Sequence, residues 1–191
     1  FHTVDAPAGW RRIDFISDLH LCAAMPRTCA AFAAHLRHTP ADAVFILGDL
    51  FELWVGDEMR LRPFESRCVQ MLADAATRRT LAFMAGNRDF LVGDALLQDA
   101  GMQRLADPTL LAAFGRRVVT SHGDALCLAD EPYQAFRAEV RSPVWQQQFL
   151  AKPLAERLAI ADGIRAASRE SHERRRFDGD SWADVDPAAA V

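Results

Sequence analysis

Apolar residues fall in short runs that stop at turn formers, and four such runs stand out: Ile13 to Ser17, Ala43 to Leu47, Leu81 to Ala85 and Val118 to Ser121. Runs of this length, apolar on both faces, predict buried strands. Between them the rhythm changes. Arg27 to His38 carries Ala30, Phe32, Ala33 and Leu36 at helical spacing and is closed by Thr39-Pro40. Pro63 to Arg79 repeats Phe64, Cys68, Val69, Met71, Leu72 and Ala75 at three and four, with Pro63 suited to a first turn. Leu110 to Phe114 and Val118 to Ser121, around Gly115, predict a hairpin-like pair. Strands alternating with helices predict an α/β layered domain.

The pattern shifts after Glu131. Pro132 to Phe177 has almost no strand rhythm and many helix formers, and breaks at Ser142-Pro143 and Lys152-Pro153 divide it into three predicted helices. This stretch holds nine Lys and Arg against five Asp and Glu in a chain whose formal net charge is -4. Its apolar residues, among them Trp145, Phe149 and Leu150, either pack on the sheet beside solvated arginines or form a basic, amphipathic insertion for an anionic, partly greasy partner.

Composition narrows the choice. A chain of 191 residues, 50% hydrophobic, is most simply one domain. No window approaches the ~18 uninterrupted apolar residues of a spanning helix, and Phe1 to Arg12 lacks a basic region followed by an apolar core. Cys22, Cys29, Cys68 and Cys127 show no C-x-x-C spacing, so reduced thiols and a cytoplasmic setting are expected. The acidic balance argues against nucleic acid as a partner.

Each strand prediction ends on candidate chemistry: Ser17-Asp18-Leu19-His20, Gly48-Asp49, Gly86-Asn87-Arg88-Asp89 and His122-Gly123-Asp124. Any one of these alone is ordinary turn chemistry. Four in this order, each after an apolar strand, point to a metal site at the strand ends, where open α/β sheets place ligands. On an extended strand Asp18 and His20 leave the same face and converge on one ion. The mixed oxygen and nitrogen set suits Mn, Fe or Zn better than Ca or Mg. Asp89 and Asp124 are candidates to orient the ligands or to form turns. His2, in an N-terminal tail, and His35 and His38, on a polar helix face, are expected at the surface.

Asp18-x-His20, Gly48-Asp49, Gly86-Asn87 and His122 resemble the calcineurin-like metallophosphoesterase pattern. The fuller stretches Phe45 to Asp57, Gly86 to Leu91 and His122 to Cys127 resemble the UDP-2,3-diacylglucosamine pyrophosphatases of lipid A biosynthesis, and the likeness runs over nearly the whole chain. That resemblance implies a layered α/β phosphoesterase core with a helical lid at about 132–177. It also implies a manganese-dependent, two-ion hydrolase acting at the cytoplasmic face of the inner membrane as a peripheral protein. Its substrate would be UDP-2,3-diacylglucosamine, cleaved to UMP and 2,3-diacylglucosamine 1-phosphate (lipid X) by hydroxide attack on the α-phosphorus. By the same resemblance Asp18 and His20 hold one ion, Asp49 bridges both, and Asn87 and His122 hold the other. Asn87, Arg88, Asp130 and Ser168 contact substrate, with His172 and Arg175 at two further contact positions.

Arg88 adds a chemical argument. Many relatives in the wider superfamily have a His after the motif Asn, able to protonate an alkoxide leaving group. Arginine stays protonated near neutral pH but can neutralise phosphate oxygens. A phosphate leaving group, with a second pKa near ~6, needs little protonation, so Arg88 suits a phosphoric anhydride. Pairing with Asp89 or Asp124 is its structural alternative. The family pattern closes on a Gly-His-x-His motif that the sequence through Val191 does not contain, which reads as a fragment lacking the last strand or strands and one His from each metal. Competing readings are another calcineurin-like phosphodiesterase or pyrophosphatase and, were the chain complete, a non-catalytic nucleotide or lipid binder.

Overall fold

The computed structural model describes residues 2–178, 185, 186, 188 and 189, with the side chains of residues 167 and 169–178 left aside. The chain divides into two compact units, Phe1–His122 and Gly123–Val191.

The first unit holds two sheets. Strands β2 (Ile13–Ile16), β3 (Ala43–Leu47), β4 (Thr80–Met84) and β5 (Met102–Leu105) form an all-parallel sheet in that order. Ile13 pairs with Ala43, Ala43 with Thr80 and Leu81 with Met102. The crossovers carry α1 (Pro26–His38), α2 (Pro63–Ala76) and α3 (Asp94–Ala100), and α2 packs between the other two. A second sheet has the order β1 (His2–Asp5), β6 (Thr109–Ala113), β7 (Arg116–Thr120); β1 is parallel to β6 and β7 antiparallel to it.

Period-two alternation assigns the faces. Ala43 and Phe45 of β3 with Ala82 and Met84 of β4 pack against Leu111 of β6, forming the layer between the sheets, where Val4, Trp10 and Ala113 close its margin. The alternate residues Val44, Ile46, Leu81 and Phe83 are also buried, at 1% exposure or less. Burial on both faces explains why β3 and β4 read as unbroken apolar runs.

The predicted strands, the first two helices and the hairpin are present with ends shifted by a few residues, but only β3 and β4 are buried as expected: β2 and β7 lie at the edges of their sheets, with Phe15, Val118 and Val119 exposed. Besides two 3-10 turns, Asp57–Leu61 and Asp124–Leu126, two strands and a helix are additional among the described residues. His2 lies in β1 rather than in a tail, where pairing with β6 orders a polar tetrapeptide. β5 is an edge strand with its two middle residues exposed, and so lacks an apolar run. α3 has seven residues, and its first-turn N–H groups are satisfied from afar: Gly93 and Leu96 donate to Asp57 at 2.9 and 3.0 Å.

The second unit contains α4 (Glu131–Val140), α5 (Pro143–Leu150) and α6 (Leu154–Asp178), the three expected helices. Two have side-chain caps. Asp130 accepts from Tyr133 N–H and Ser142 from Trp145 N–H, both at 3.3 Å, and each helix has Pro in its first turn. Trp145 and Phe149 stack, centroids 4.6 Å apart. Among the described residues no helix is long and apolar enough to cross a membrane.

Candidate metal centre

All parallel strands of the first unit point their C-terminal ends one way, so the loops after β2, β3 and β4 emerge together, and the segment after β7 joins them. Asp18, Asp49 and His122 present ligand atoms that all lie within 4.8 Å of one another. His20 Nε2 lies 3.7 Å from Asp49 Oδ2 and 4.0 Å from Asp18 Oδ1, and His122 Nε2 lies 3.7 Å from Asp49 Oδ1. Asn87 Oδ1 is 3.3 Å from His122 Nε2.

Convergence of Asp18 and His20 has a different cause from the one expected. β2 ends at Ile16, and both residues lie beyond it in left-handed backbone, at φ 53° and 48°; Asp49 matches them at 53°. Non-glycine residues pay for this conformation, which costs on the order of 1–3 kcal/mol each and collects at functional sites. Backbone pairing holds them there: Asp18 N–H donates to Gly48 O at 3.1 Å and His20 N–H to Asp49 O at 3.0 Å. The first two motif loops are thus stitched together.

Two glycines make the approach possible. A Cβ on Gly86 would sit 2.1 Å from Asp49 Oδ1, and one on Gly48, at φ +92°, would sit 2.3 Å from His122 Nδ1. Any larger residue would expel one of the candidate ligands.

Asp89 fastens the loops from below. Fully buried, it accepts N–H bonds from Gly86 (2.8 Å), Leu50 (2.7 Å), Asp49 (3.3 Å) and Phe51 (3.3 Å). Burial, with the charge of Asp49, pushes its carboxyl up to about 6 against the pull of these N–H groups. Asp124 has a separate role in the second unit: its Oδ2 accepts from Tyr133 (2.7 Å), Arg137 (2.9 Å) and Arg141 (3.3 Å), all on or just past α4. Through Oδ2 it anchors α4.

The donor set fits a cation. His122 Nδ1 lies 2.9 Å from Leu47 O and His20 Nδ1 lies 2.9 Å from Glu52 Oε2. The carbonyl holds the proton on His122 Nδ1 and leaves its Nε2 lone pair for a metal, whereas Glu52 stands beside His20 Nδ1 without an aligned hydrogen bond. Nε2 of both rings faces the carboxylate of Asp49, at separations too long for hydrogen bonds. Asp49 is 2% exposed, and burial pushes its carboxyl up despite Arg88 N–H and the two imidazoles. Acceptors facing acceptors in a buried space need a positive charge among them. Asn87 can turn either way: its NH₂ reaches Asp49 Oδ2 at 2.7 Å, whereas the reverse orientation delivers its carbonyl oxygen to a cation. Neither Glu52 nor the Leu47 carbonyl is singled out by the motifs; for Glu52 the available signal is an acid three residues after Asp49, inside the motif stretch.

Arg88 donates its backbone N–H to Asp49 Oδ1 at 2.8 Å, while its Nε is buried without a hydrogen-bond acceptor. Arg88 makes no ion pair with Asp89, whose oxygens are taken by backbone N–H groups; Asp124 belongs to the second unit, where its Oδ2 binds Tyr133, Arg137 and Arg141. Asp130 and Ser168 belong to the second unit, Asp130 as the cap of α4 and Ser168 as a half-buried residue of α6. The side chains of His172 and Arg175 lie outside the described residues.

Carboxylates, imidazoles and an amide gathered beyond β2, β3, β4 and β7, with no thiolate among them, are a donor set suited to a metallohydrolase of the phosphoester-cleaving class. The sequence model of the calcineurin-like phosphoesterases matches residues 11–178, and the chain belongs to that family of metal-dependent hydrolases. It is similar to a protein of Xanthomonas axonopodis pv. citri (strain 306) named UDP-2,3-diacylglucosamine hydrolase, 46% identical over 182 residues that cover 91% of this chain and 73% of that one. A protein of the same name from Aromatoleum aromaticum (strain DSM 19018 / LMG 30748 / EbN1) is 45% identical over 168 residues, 86% of this chain and 68% of its own.

Proposed function

We propose that the protein hydrolyses the pyrophosphate bond of UDP-2,3-diacylglucosamine, releasing UMP and 2,3-diacylglucosamine 1-phosphate, as a step of lipid A biosynthesis. Two Mn²⁺ ions are the proposed cofactors, Asp18 and His20 holding one, Asn87 and His122 the other, and Asp49 both. Ions so held supply Lewis-acid charge to the phosphoryl oxygens and a water-derived nucleophile at neutral pH.

The chain's own groups do the rest. The observation that carries the reading is the Arg88 guanidinium, whose buried Nε lacks an acceptor on a residue whose N–H already binds Asp49. A phosphate oxygen supplies that acceptor. Arg88 then neutralises charge accumulating on the departing phosphate without having to give up a proton. The Leu47 carbonyl holds the His122 proton at Nδ1, so that imidazole does not rotate away from its task, and Glu52 Oε2 stands 2.9 Å from His20 Nδ1.

Asn87, Arg88, Asp130, Ser168, His172 and Arg175 are the proposed substrate contacts, within one metallophosphoesterase domain whose helical segment, about 132–177, serves as a lid. The stacked Trp145 and Phe149 and the basic charge of that segment suit acyl chains beside an anionic head group. The proposed location is the cytoplasmic face of the inner membrane, where the protein is peripheral.

Hydrolysis of UDP-2,3-diacylglucosamine by the purified chain, followed with Mn²⁺ and after chelation, tests the reading. In ¹⁸O-water the label is expected in UMP, as attack on the α-phosphorus requires; label in the sugar phosphate instead, or equal activity with chelator, overturns it. Arg88→Lys should retain part of the activity and Arg88→Ala should lose on the order of 10²-fold or more.

A further inference from the structure

Away from the metal centre, α1 and α2 leave an open groove of about 720 Å³ between them, inside the ~300–1,000 Å³ range of binding sites. Its floor is apolar: Leu36 and Cys68 are buried, and Met71 and Phe64 are half-buried beside them. Three arginines, Arg37, Arg67 and Arg78, stand exposed around it, against one acid, Asp74. Gln70 already donates to Asp74 Oδ1 at 3.0 Å. None of the three guanidinium groups is paired with a carboxylate among the described residues. Helix α1 contributes no carboxylate at all.

Cationic groups gathered over an apolar trough, in a chain of net charge -4, call for a partner that is anionic outside and greasy inside. Spacing decides its kind. Arg67 lies in α2 and Arg78 just past its end at Ala76, roughly 14 Å of helical rise beyond Arg67, a spread that suits a row of head groups better than a single carboxylate. The apolar floor, in turn, has no use in binding a nucleic-acid backbone.

We propose that the α1–α2 face is where the protein rests on an anionic phospholipid bilayer, with the arginines at the head groups and the groove receiving an acyl segment. This deepens the peripheral location proposed above and rests on it. The lid segment would engage substrate, whereas this face engages the bulk membrane.

The test is cosedimentation of the full chain with vesicles of phosphatidylcholine alone or with 30% phosphatidylglycerol. Binding is expected only to the anionic vesicles, weakening as salt rises. Replacing Arg37, Arg67 and Arg78 by Gln together should reduce partitioning by roughly 100-fold, about fivefold per guanidinium. Met71→Gln should weaken it further, and Arg116→Gln with Arg117→Gln should leave it within about twofold, circular dichroism confirming that each variant is folded. Wild-type partitioning by the triple variant overturns the proposal, as does unchanged binding by Met71→Gln, which would mean a charge patch without a groove. Stronger binding to single-stranded DNA than to the vesicles would also overturn it. Hydrolysis of UDP-2,3-diacylglucosamine in detergent micelles separates the two claims. Vesicle binding without hydrolysis leaves the face standing and removes the catalytic reading; hydrolysis with no effect of the triple variant on vesicle binding does the reverse.

Discussion

The loop after β4 and the turn after β7 each carry an aspartate two residues after a candidate ligand, Asp89 after Asn87 and Asp124 after His122, and the two are built in opposite ways. Asp89 spends both oxygens on backbone N–H groups from two motif loops. Asp124 instead binds side chains, one phenol and two guanidinium groups, all through Oδ2. Their protonation follows. Burial wins at Asp89, helped by the charge of Asp49, and its carboxyl rises to about 6. At Asp124 burial pushes upward too, but Arg137, Tyr133 and Arg141 outweigh it and hold the carboxyl below its ordinary value. Burial alone therefore does not set a carboxylate's character; the charge of its partners does. A carboxylate bound by backbone fixes loop geometry, whereas one bound by side chains fixes a helix.

Truncation should separate the two most strongly. Asp89→Ala strands several buried N–H donors at once and should cost about 2–4 kcal/mol in urea unfolding. It should also weaken Mn²⁺ binding measured calorimetrically, because the loop carrying Asp49 loses its fastening. A stable variant with unchanged metal affinity would show that the loops are held by other means.

Asp124→Ala should cost less, about 1–2 kcal/mol, since Arg137 and Arg141 are 20% and 23% exposed and regain water. Faster hydrogen exchange should be confined to α4, with Mn²⁺ binding unaffected. Equal losses of metal affinity in both variants would erase the distinction.

The smallest effect is in pH dependence. Asp124, held low in the folded state, contributes stability that is complete above its unfolded value of ~3.9 and is lost as pH falls through the depressed one. That limb should amount to less than about 1 kcal/mol and vanish in Asp124→Asn. Asp89 works in the other direction. From about pH 4 to 6 the metal-free fold keeps a proton that the unfolded chain has released, so rising pH costs stability across that window. Asp89→Asn should flatten it; a slope of the opposite sign would show that the backbone N–H groups outweigh burial.

Elements with local reasons were legible in the sequence. β3 and β4 are buried on both faces and therefore apolar throughout; α1 and α2 carry an apolar stripe behind a first-turn proline. The four motif blocks and their order were legible as well, because metal ligands must be particular residue types at strand ends. Elements with distant reasons were not. α3 takes its cap from Asp57 and β1 takes its order from β6, and neither partner is a sequence neighbour.

What the sequence determined by itself was the inventory: which runs become strands, which residues can bind a cation, and that Arg88 rather than a proton donor stands after Asn87. What only the tertiary structure decided was convergence. Left-handed backbone at Asp18, His20 and Asp49, the room left by Gly48 and Gly86, and the carbonyl that turns His122 toward Asp49 arise from contacts between chain segments far apart in sequence. Residue type is written locally, but the direction in which a side chain points at a loop end is set by whatever the packed fold places beside it.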